Sequence, residues 1–181
     1  MTMRKIVHKL FWVWEFEKEE KWLNEMAAKG LCLIAVGFCR YEFEECEPGG
    51  YNIRLELLDN LPRSAEGESY LSFVEEMGAE YVGSYLRWAY FRKKTTDGTF
   101  DLFSDNTSRV NYLNRIMNFV LIIAALNFFA GCYNLWVFFA YNSSINIYGT
   151  VNLVLALLSI YGWFRLNSTR NKLKKENQVF E

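Results

Sequence analysis

Four groups of residues in this 181-residue chain have side chains capable of chemistry. Glu15, Glu17, Glu19, Glu20 and Glu25 crowd one short segment, Cys32, Cys39 and Cys46 recur every seventh residue, and His8 is the single histidine. Arg87, Trp88, Tyr90, Phe91, Arg92, Lys93 and Lys94 mix basic and aromatic types. Clustered carboxylates serve as general acids, bases or metal ligands when a closed site shifts their proton affinities. Lys18, Lys21 and Lys29 interleave these acids, so they read as a solvated helix face. The cysteine spacing matches neither a CxxC redox pair nor paired zinc ligands. Free cysteine favours buried sites, so these three and Cys132 read as small apolar fillers in a reducing compartment. His8 has no recognisable partner that would activate a nucleophile, and there is no glycine-rich phosphate loop. Hence no catalytic residue, metal or cofactor is expected, and the chain does not read as an enzyme. The basic and aromatic run could suit nucleic acid. However, residues 1–115 carry 15 basic against 19 acidic groups, which opposes phosphate-driven binding. That run reads instead as a strand ending in membrane-proximal charge, with no direct nucleic-acid contact.

The elements that must hold these groups divide sharply by charge. From Ile116 to Phe164 there is no Asp, Glu, Lys, Arg or His. A bilayer core needs roughly 20 apolar residues per helix, so this block fits two transmembrane helices, 116–141 and 147–166. The turn 142–146 between them has no charge, whereas eleven basic residues flank the pair, from Arg87 to Arg115 and from Arg165 to Lys175. By the positive-inside rule both ends are expected in the cytoplasm, with the turn outside and 167–181 a basic cytoplasmic tail. Within the spans, Ala124, Asn127, Gly131 and Asn134 share the 3, 4, 3 spacing of Gly149, Asn152, Ala156 and Ser159, so each set forms one helical stripe. A hairpin centred near Ser143 would set Asn134 opposite Asn152 and Asn127 opposite Ser159, with interhelical hydrogen bonds between them.

Residues 1–94 read as a cytoplasmic α+β domain made from a strand-helix-strand-strand unit used twice, at about 5–46 and 51–94, with 95–115 as a juxtamembrane linker. KIVHKLFWVW at 5–14 reads as a strand, and Trp22, Leu23, Met26 and Ala27 form the apolar stripe of a helix that stops at Gly30. A shift of 51 lays Trp22 on Phe73, Leu23 on Val74 and Met26 on Met77, which places Tyr70, Phe73, Val74 and Met77 inward in the second helix. The expected result is one six-stranded, mainly antiparallel sheet with both helices on one face. FWVW at 11–14 and WAYF at 88–91 would then leave large apolar groups on the uncovered face. Tyr41, Trp88 and Tyr90 are the candidate lining of a ligand cleft there. The bilayer surface, the linker or a homo-oligomer contact are the competing covers.

Trp22 to Gly30 (WLNEMAAKG), the hairpin Gly-Phe-x-Arg-Tyr-x-Phe at 37–43 and Glu47-Pro48-Gly49 carry a family resemblance. With the two spans, the chain resembles the bacterial membrane family catalogued as domain of unknown function 2812. The resemblance covers essentially the whole chain and implies a soluble N-terminal domain with a C-terminal hairpin, but supplies no catalytic residues. Members of that family often neighbour PadR-type winged-helix regulators, which implies a regulatory setting. At the level of architecture the doubled unit is similar to effector-binding domains of the gyrase-inhibitor-like group, which hold amphipathic cations in an aromatic cleft. The expected function is a membrane-anchored sensor or regulatory adaptor. Its partners would be the lipid bilayer and either a small amphipathic ligand or a protein. The alternative is an accessory subunit docked on a larger membrane complex.

Overall fold

The computed structural model describes residues 4–102, 106–141 and 146–179, and it divides into two compact units, 1–104 and 105–181. The first unit repeats one topology: β1 (Arg4–His8), α1 (Phe16–Ala28), β2 (Leu31–Gly37) and β3 (Arg40–Glu45), then β4 (Tyr51–Leu57), α2 (Ala65–Glu76), β5 (Glu80–Tyr85) and β6 (Trp88–Lys94). Each half folds into its own three-stranded antiparallel sheet, in the order β1-β3-β2 and β4-β6-β5. The doubled α+β unit is therefore present. The single six-stranded ladder is not: β2 and β5 lie side by side, with a Cβ at Gly83 falling 3.5 Å from Val36, but they form no ladder among the described residues. A bulge in each accompanies this arrangement, at Leu33/Ala35 in β2 and Tyr81/Gly83 in β5. Bulges strengthen local twist and bend the strand that carries them.

The two halves correspond with an offset of 48 in their hairpins and helix ends, and 49 in their first strands, rather than 51. Leu33 opposite Phe43 matches Tyr81 opposite Phe91, and the hairpin closures Gly37/Arg40 and Tyr85/Trp88 correspond. Both helices end at a glycine with positive φ, Gly30 at 80° and Gly78 at 82°, the conformation that stops a helix without a Cβ penalty. This offset sets Leu23 on Leu71 and Met26 on Val74, all four buried, and leaves Phe73 and Met77 exposed rather than inward. The 51-residue shift fails because it matches residue types in one helix while the caps and strands keep another register.

β1 is shorter than the sequence implies. It ends at His8, and Val13–Glu15 form a 3-10 turn that leads into α1. The helices are also not confined to one face. Ala89 and Phe91 pack with Leu71 and Val74 of α2, while Tyr90 and Trp88, which alternate with them, meet Glu19 and Phe16 of α1. WAYF has large groups on both faces because a helix covers each one. Helix α1 also closes the free edge of β4. Asn24 Nδ2 donates to the Ile53 carbonyl at 2.9 Å while its Oδ1 accepts from the Ile53 amide at 2.9 Å, and Glu20 accepts from the Leu55 amide at 3.1 Å. These side chains stand in for a further strand and protect an edge open to non-native pairing.

Cys32 and Cys46 are disulfide-bonded with Cα atoms 5.9 Å apart, which overturns their reading as independent fillers. Residues in extended chain seven apart point to opposite faces, but the β2–β3 turn folds the chain back and sets Cys46, just past the end of β3, beside Cys32 on β2. Cys39 and Cys132 are free, and Cys132 is exposed.

The second unit consists of α3 (Asn106–Tyr141) and α4 (Asn146–Val179), both long and apolar enough to cross a membrane. At 1.5 Å per residue the 36 residues of α3 reach about 54 Å, beyond a hydrocarbon core, so its charged first turns extend past the apolar run. The connecting residues 142–145 lie outside the described residues. Ala124, Gly131, Gly149, Ala156 and Ser159 are buried and Asn127, Asn134 and Asn152 half-buried, so the small and polar stripes face the helix pair. A Cβ at Gly131 would lie 2.8 Å from the Leu153 side chain, so an added methyl there would force Leu153 to shift. The Asn–Asn and Asn–Ser hydrogen bonds across the pair are not what forms. Asn127, Asn134 and Ser159 bond carbonyls four residues back in their own helices, at Ile123, Ala130 and Leu155. Asn134 lies against Gly149, three residues from the partner that the assumed hairpin centre would give it.

Candidate functional site

Phe16, Glu19, Leu23, Met26 and Ala27 are the buried positions of α1, a 3 and 4 stripe in which one member is a carboxylic acid. Glu19 is therefore a core residue rather than part of a solvated face. Its Oε1 accepts two phenol hydrogen bonds, from Tyr41 on β3 at 2.7 Å and from Tyr90 on β6 at 2.6 Å. The first half supplies the acid and one phenol, and the second half supplies the other. Glu19, Tyr41, Tyr90 and Trp88 are each less than one tenth exposed.

Aromatic rings wall this centre. Phe16, one turn before Glu19, stacks on Trp88 with centroids 6.0 Å apart, and Trp22 meets Tyr41 edge to face at 5.0 Å and Phe43 at 5.8 Å. Phe11 extends the cluster outward, 5.6 Å from Trp22. The Lys9 ammonium lies 4.5 Å from the Trp22 ring centroid and 4.8 Å from that of Phe11, so the outer face already holds a cation against its π clouds.

Burial pushes the Glu19 carboxyl above its ordinary proton affinity, and the phenol donors from Tyr90 and Tyr41 only partly offset this by stabilising the anion. Glu20 is also raised by burial, against the opposing charge of Arg54, whose guanidinium lies 2.8 Å away. Tyr41 and Tyr90 are raised, first by burial and then by the neighbouring Glu19 charge. The group can thus exist as a neutral acid between two phenols, or as a buried anion held by two O–H donors. Among the described residues no cluster of His, Cys, Asp and Glu could hold a metal ion.

Of the three residues singled out from sequence as cleft lining, Tyr41 and Tyr90 converge on one carboxylate oxygen, and Trp88 lies beside them against Phe16. Their location is not an uncovered sheet face, because α1 lies over them. A separate open groove of about 720 Å³ lies along α2, lined by Ala65, Glu66, Ser69, Tyr70 and Phe73, and uses none of the three. Glu19 went unrecognised because lysines surround it in sequence. The signal was its position three after Phe16 and four before Leu23, which continues the apolar stripe.

Residues 15–125 match the sequence profile of a family described as protein of unknown function (DUF2812). No curated protein and no solved structure matches the chain.

Proposed function

The chain belongs to the DUF2812 family of proteins of unknown function, and from that premise we propose that it is a membrane-anchored sensor or regulatory adaptor. In this reading the N-terminal unit binds a small amphipathic ligand at the Glu19 centre, and α3 and α4 hold it at the bilayer. The observation that carries the reading is the buried Glu19 carboxylate, bridged by phenols from both halves and walled by aromatic rings. An apolar body with a positive or hydrogen-bond-donating head is the chemistry such a centre would accept. Occupancy would compete with the Tyr41 and Tyr90 hydrogen bonds, and so would alter how the two halves meet. A sensor needs such a coupling between site and fold.

Titration of the full chain in mild detergent with hydrophobic cations and with neutral amphiphiles, followed by Trp fluorescence, tests this. Saturable quenching that Glu19→Gln and Trp88→Ala both abolish, with the thermal transition retained, is the expected result. A flat response across both ligand classes would sink it. The closure of the site favours the second reading, an accessory subunit on a larger membrane complex. Co-purification of a stoichiometric integral-membrane protein with no retained small molecule would support that one.

For topology we propose cytoplasmic termini and an outward 142–146 loop. The eleven flanking basic residues, against none in that loop, support it. The Cys32–Cys46 bond pulls the other way, since disulfides persist mainly in oxidising compartments. Insertion is set by charge at the moment of synthesis, and a dithiol can occupy the same positions on β2 and just past β3, so the charges decide the proposal. Labelling of cysteines introduced at Ser108 or Asn177 by an impermeant reagent on intact cells, with none at Ser143, would reverse the assignment.

A further inference from the structure

We infer that the end of the N-terminal unit formed by its two hairpin tips and the loops beside them is a docking surface for an anionic lipid bilayer. The inference does not depend on the Glu19 centre binding a ligand. Phe38 and Leu86 occupy corresponding first positions of the β2–β3 and β5–β6 turns, 48 residues apart, and are 71% and 61% exposed. Beside each tip runs the loop that leaves the first strand of its half. The Lys9 amide donates to the Cys39 carbonyl at 3.1 Å and the Leu58 amide to the Arg87 carbonyl at 2.8 Å, the same bond in both halves. These loops expose Leu10 and Trp12 in the first half and Leu61 in the second. The Phe38 ring lies 5.6 Å from Tyr85, which brings the two tips together.

Scattered exposed apolar residues need no explanation, but a clustered set at equivalent positions of a repeat does. Leu86 breaks two local rules at once. Its φ of 56° lies where glycine or asparagine is favoured, and its exposure lies where a turn is ordinarily polar. Local conflicts of this kind concentrate at functional sites.

The chemistry of the patch selects the partner. Leucine, phenylalanine and tryptophan on loop tips are the types that enter the boundary between headgroups and acyl chains. Segments 9–12, 38–40, 58–64 and 86–87 hold Lys9, Arg40, Arg63 and Arg87 against Asp59 alone, within residues 1–115 that are acidic overall. Arg40 also pairs with Glu42, two residues along β3, and Glu15, which accepts from the Trp12 amide, is itself paired with Lys18. Positive charge around protruding apolar groups complements anionic headgroups. The same chain carries two helices long and apolar enough to cross a membrane.

The test uses the full chain in nanodiscs of phosphatidylcholine, with or without phosphatidylglycerol, and with Cys39→Ser and Cys132→Ala to remove the free thiols. An environment-sensitive fluorophore is attached at Leu86→Cys, at Leu61→Cys, or at Glu47→Cys beyond the far end of β3. Blue-shifted emission quenched by nitroxide-bearing lipid at 86 and 61 but not at 47, stronger with phosphatidylglycerol, is the expected result. Solvent-like emission at 86 in both lipids overturns the inference. So does a blue shift without lipid quenching that grows with protein concentration, which would mark a protein contact instead. Hydrogen exchange of the unlabelled chain guards against misfolded variants. Residues 37–40 and 85–88 gain protection in phosphatidylglycerol discs if the surface docks, and none if it does not.

Discussion

The two halves of the N-terminal unit share strand order, the glycine stop after each helix, bulges and an offset of 48 in their hairpins, yet they fill equivalent positions with opposite chemistry. Where α1 carries Glu19, α2 carries Gly67, at which a Cβ would collide with the Leu61 carbonyl oxygen. Where β3 carries Tyr41, β6 carries Ala89 in an apolar cluster with Val74 and Phe91. The first half is tied by the Cys32–Cys46 bond, and the matching positions of the second half are Glu80 and Lys94. A repeated backbone thus preserves geometry, through caps and turn closures, while leaving the inward side chains free to diverge. One half has become a polar, aromatic centre and the other an ordinary apolar core.

That contrast can be broken at several points. Gly67→Ala should have the largest effect, since the added methyl meets backbone rather than a movable side chain. A loss of upward of ~3 kcal/mol is expected from overpacking at a site that cannot relax. Ala89→Gly serves as the mild comparison, and thermal unfolding of the full chain is the readout. Equal transitions for Gly67→Ala and wild type would show that the tight approach of α2 to the Leu61 loop is absent.

Removing the disulfide should come next. A cross-link closing a 14-residue separation contributes about 3 kcal/mol in the chain-entropy account. Cys32→Ser should lower the transition by that amount without reductant and change little with it. In hydrogen exchange, reduction should loosen β2–β3 and leave β5–β6 unchanged. Two free thiols on β2 and after β3 in freshly purified protein would remove this difference between the halves.

The third effect depends on pH. Because the folded state raises the Glu19 and Glu20 pKa values above 4.5, the stability they contribute is complete below 4.5 and is lost as pH rises through their folded values. Wild-type thermal stability should therefore decline on this account above pH 4.5, and Glu19→Gln should flatten part of that decline. Tyr41→Phe removes a donor to the carboxylate, costs about 1–3 kcal/mol and moves the decline to higher pH. A Glu19→Gln profile parallel to wild type would place Glu19 in water.

The smallest effect separates the two possible alignments of the halves. Under the observed offset Phe73 is 53% exposed, so Phe73→Ser should change stability by no more than about 0.5 kcal/mol. Val74→Ala, at the position matching Met26, should cost several times more. If Phe73→Ser proved the costlier change, the alignment by 51 would stand.

Much of this was legible in sequence where the signal is local. Gly30 and Gly78 mark helix ends, the charge-free run from Ile116 to Phe164 marks two long helices, and alternation around Tyr41 and Phe43 marks the inward face of β3. The second helix was misaligned because Trp22 and Phe73 look alike, whereas the caps that set the register are single glycines. The stripes on α3 and α4 were readable from spacing, but their hydrogen bonds were not. A buried asparagine can satisfy itself on its own helix at i−4 as readily as across to a neighbour.

The amino-acid sequence by itself determined the elements, their repetition, the apolar helix pair and the aromatic inward faces, since each follows from periodicity, caps and charge within a short window. Only the tertiary structure decided which distant residues meet. It joined Cys32 to Cys46, covered both faces of β6, replaced a missing strand with Asn24 and Glu20, and brought Tyr41 and Tyr90, 49 residues apart, onto one oxygen of Glu19. The physical reason is that burial, not residue type, sets the chemistry of a carboxylate. Among lysines in sequence Glu19 resembles a solvated charge, and between two sheets it is a desolvated acid.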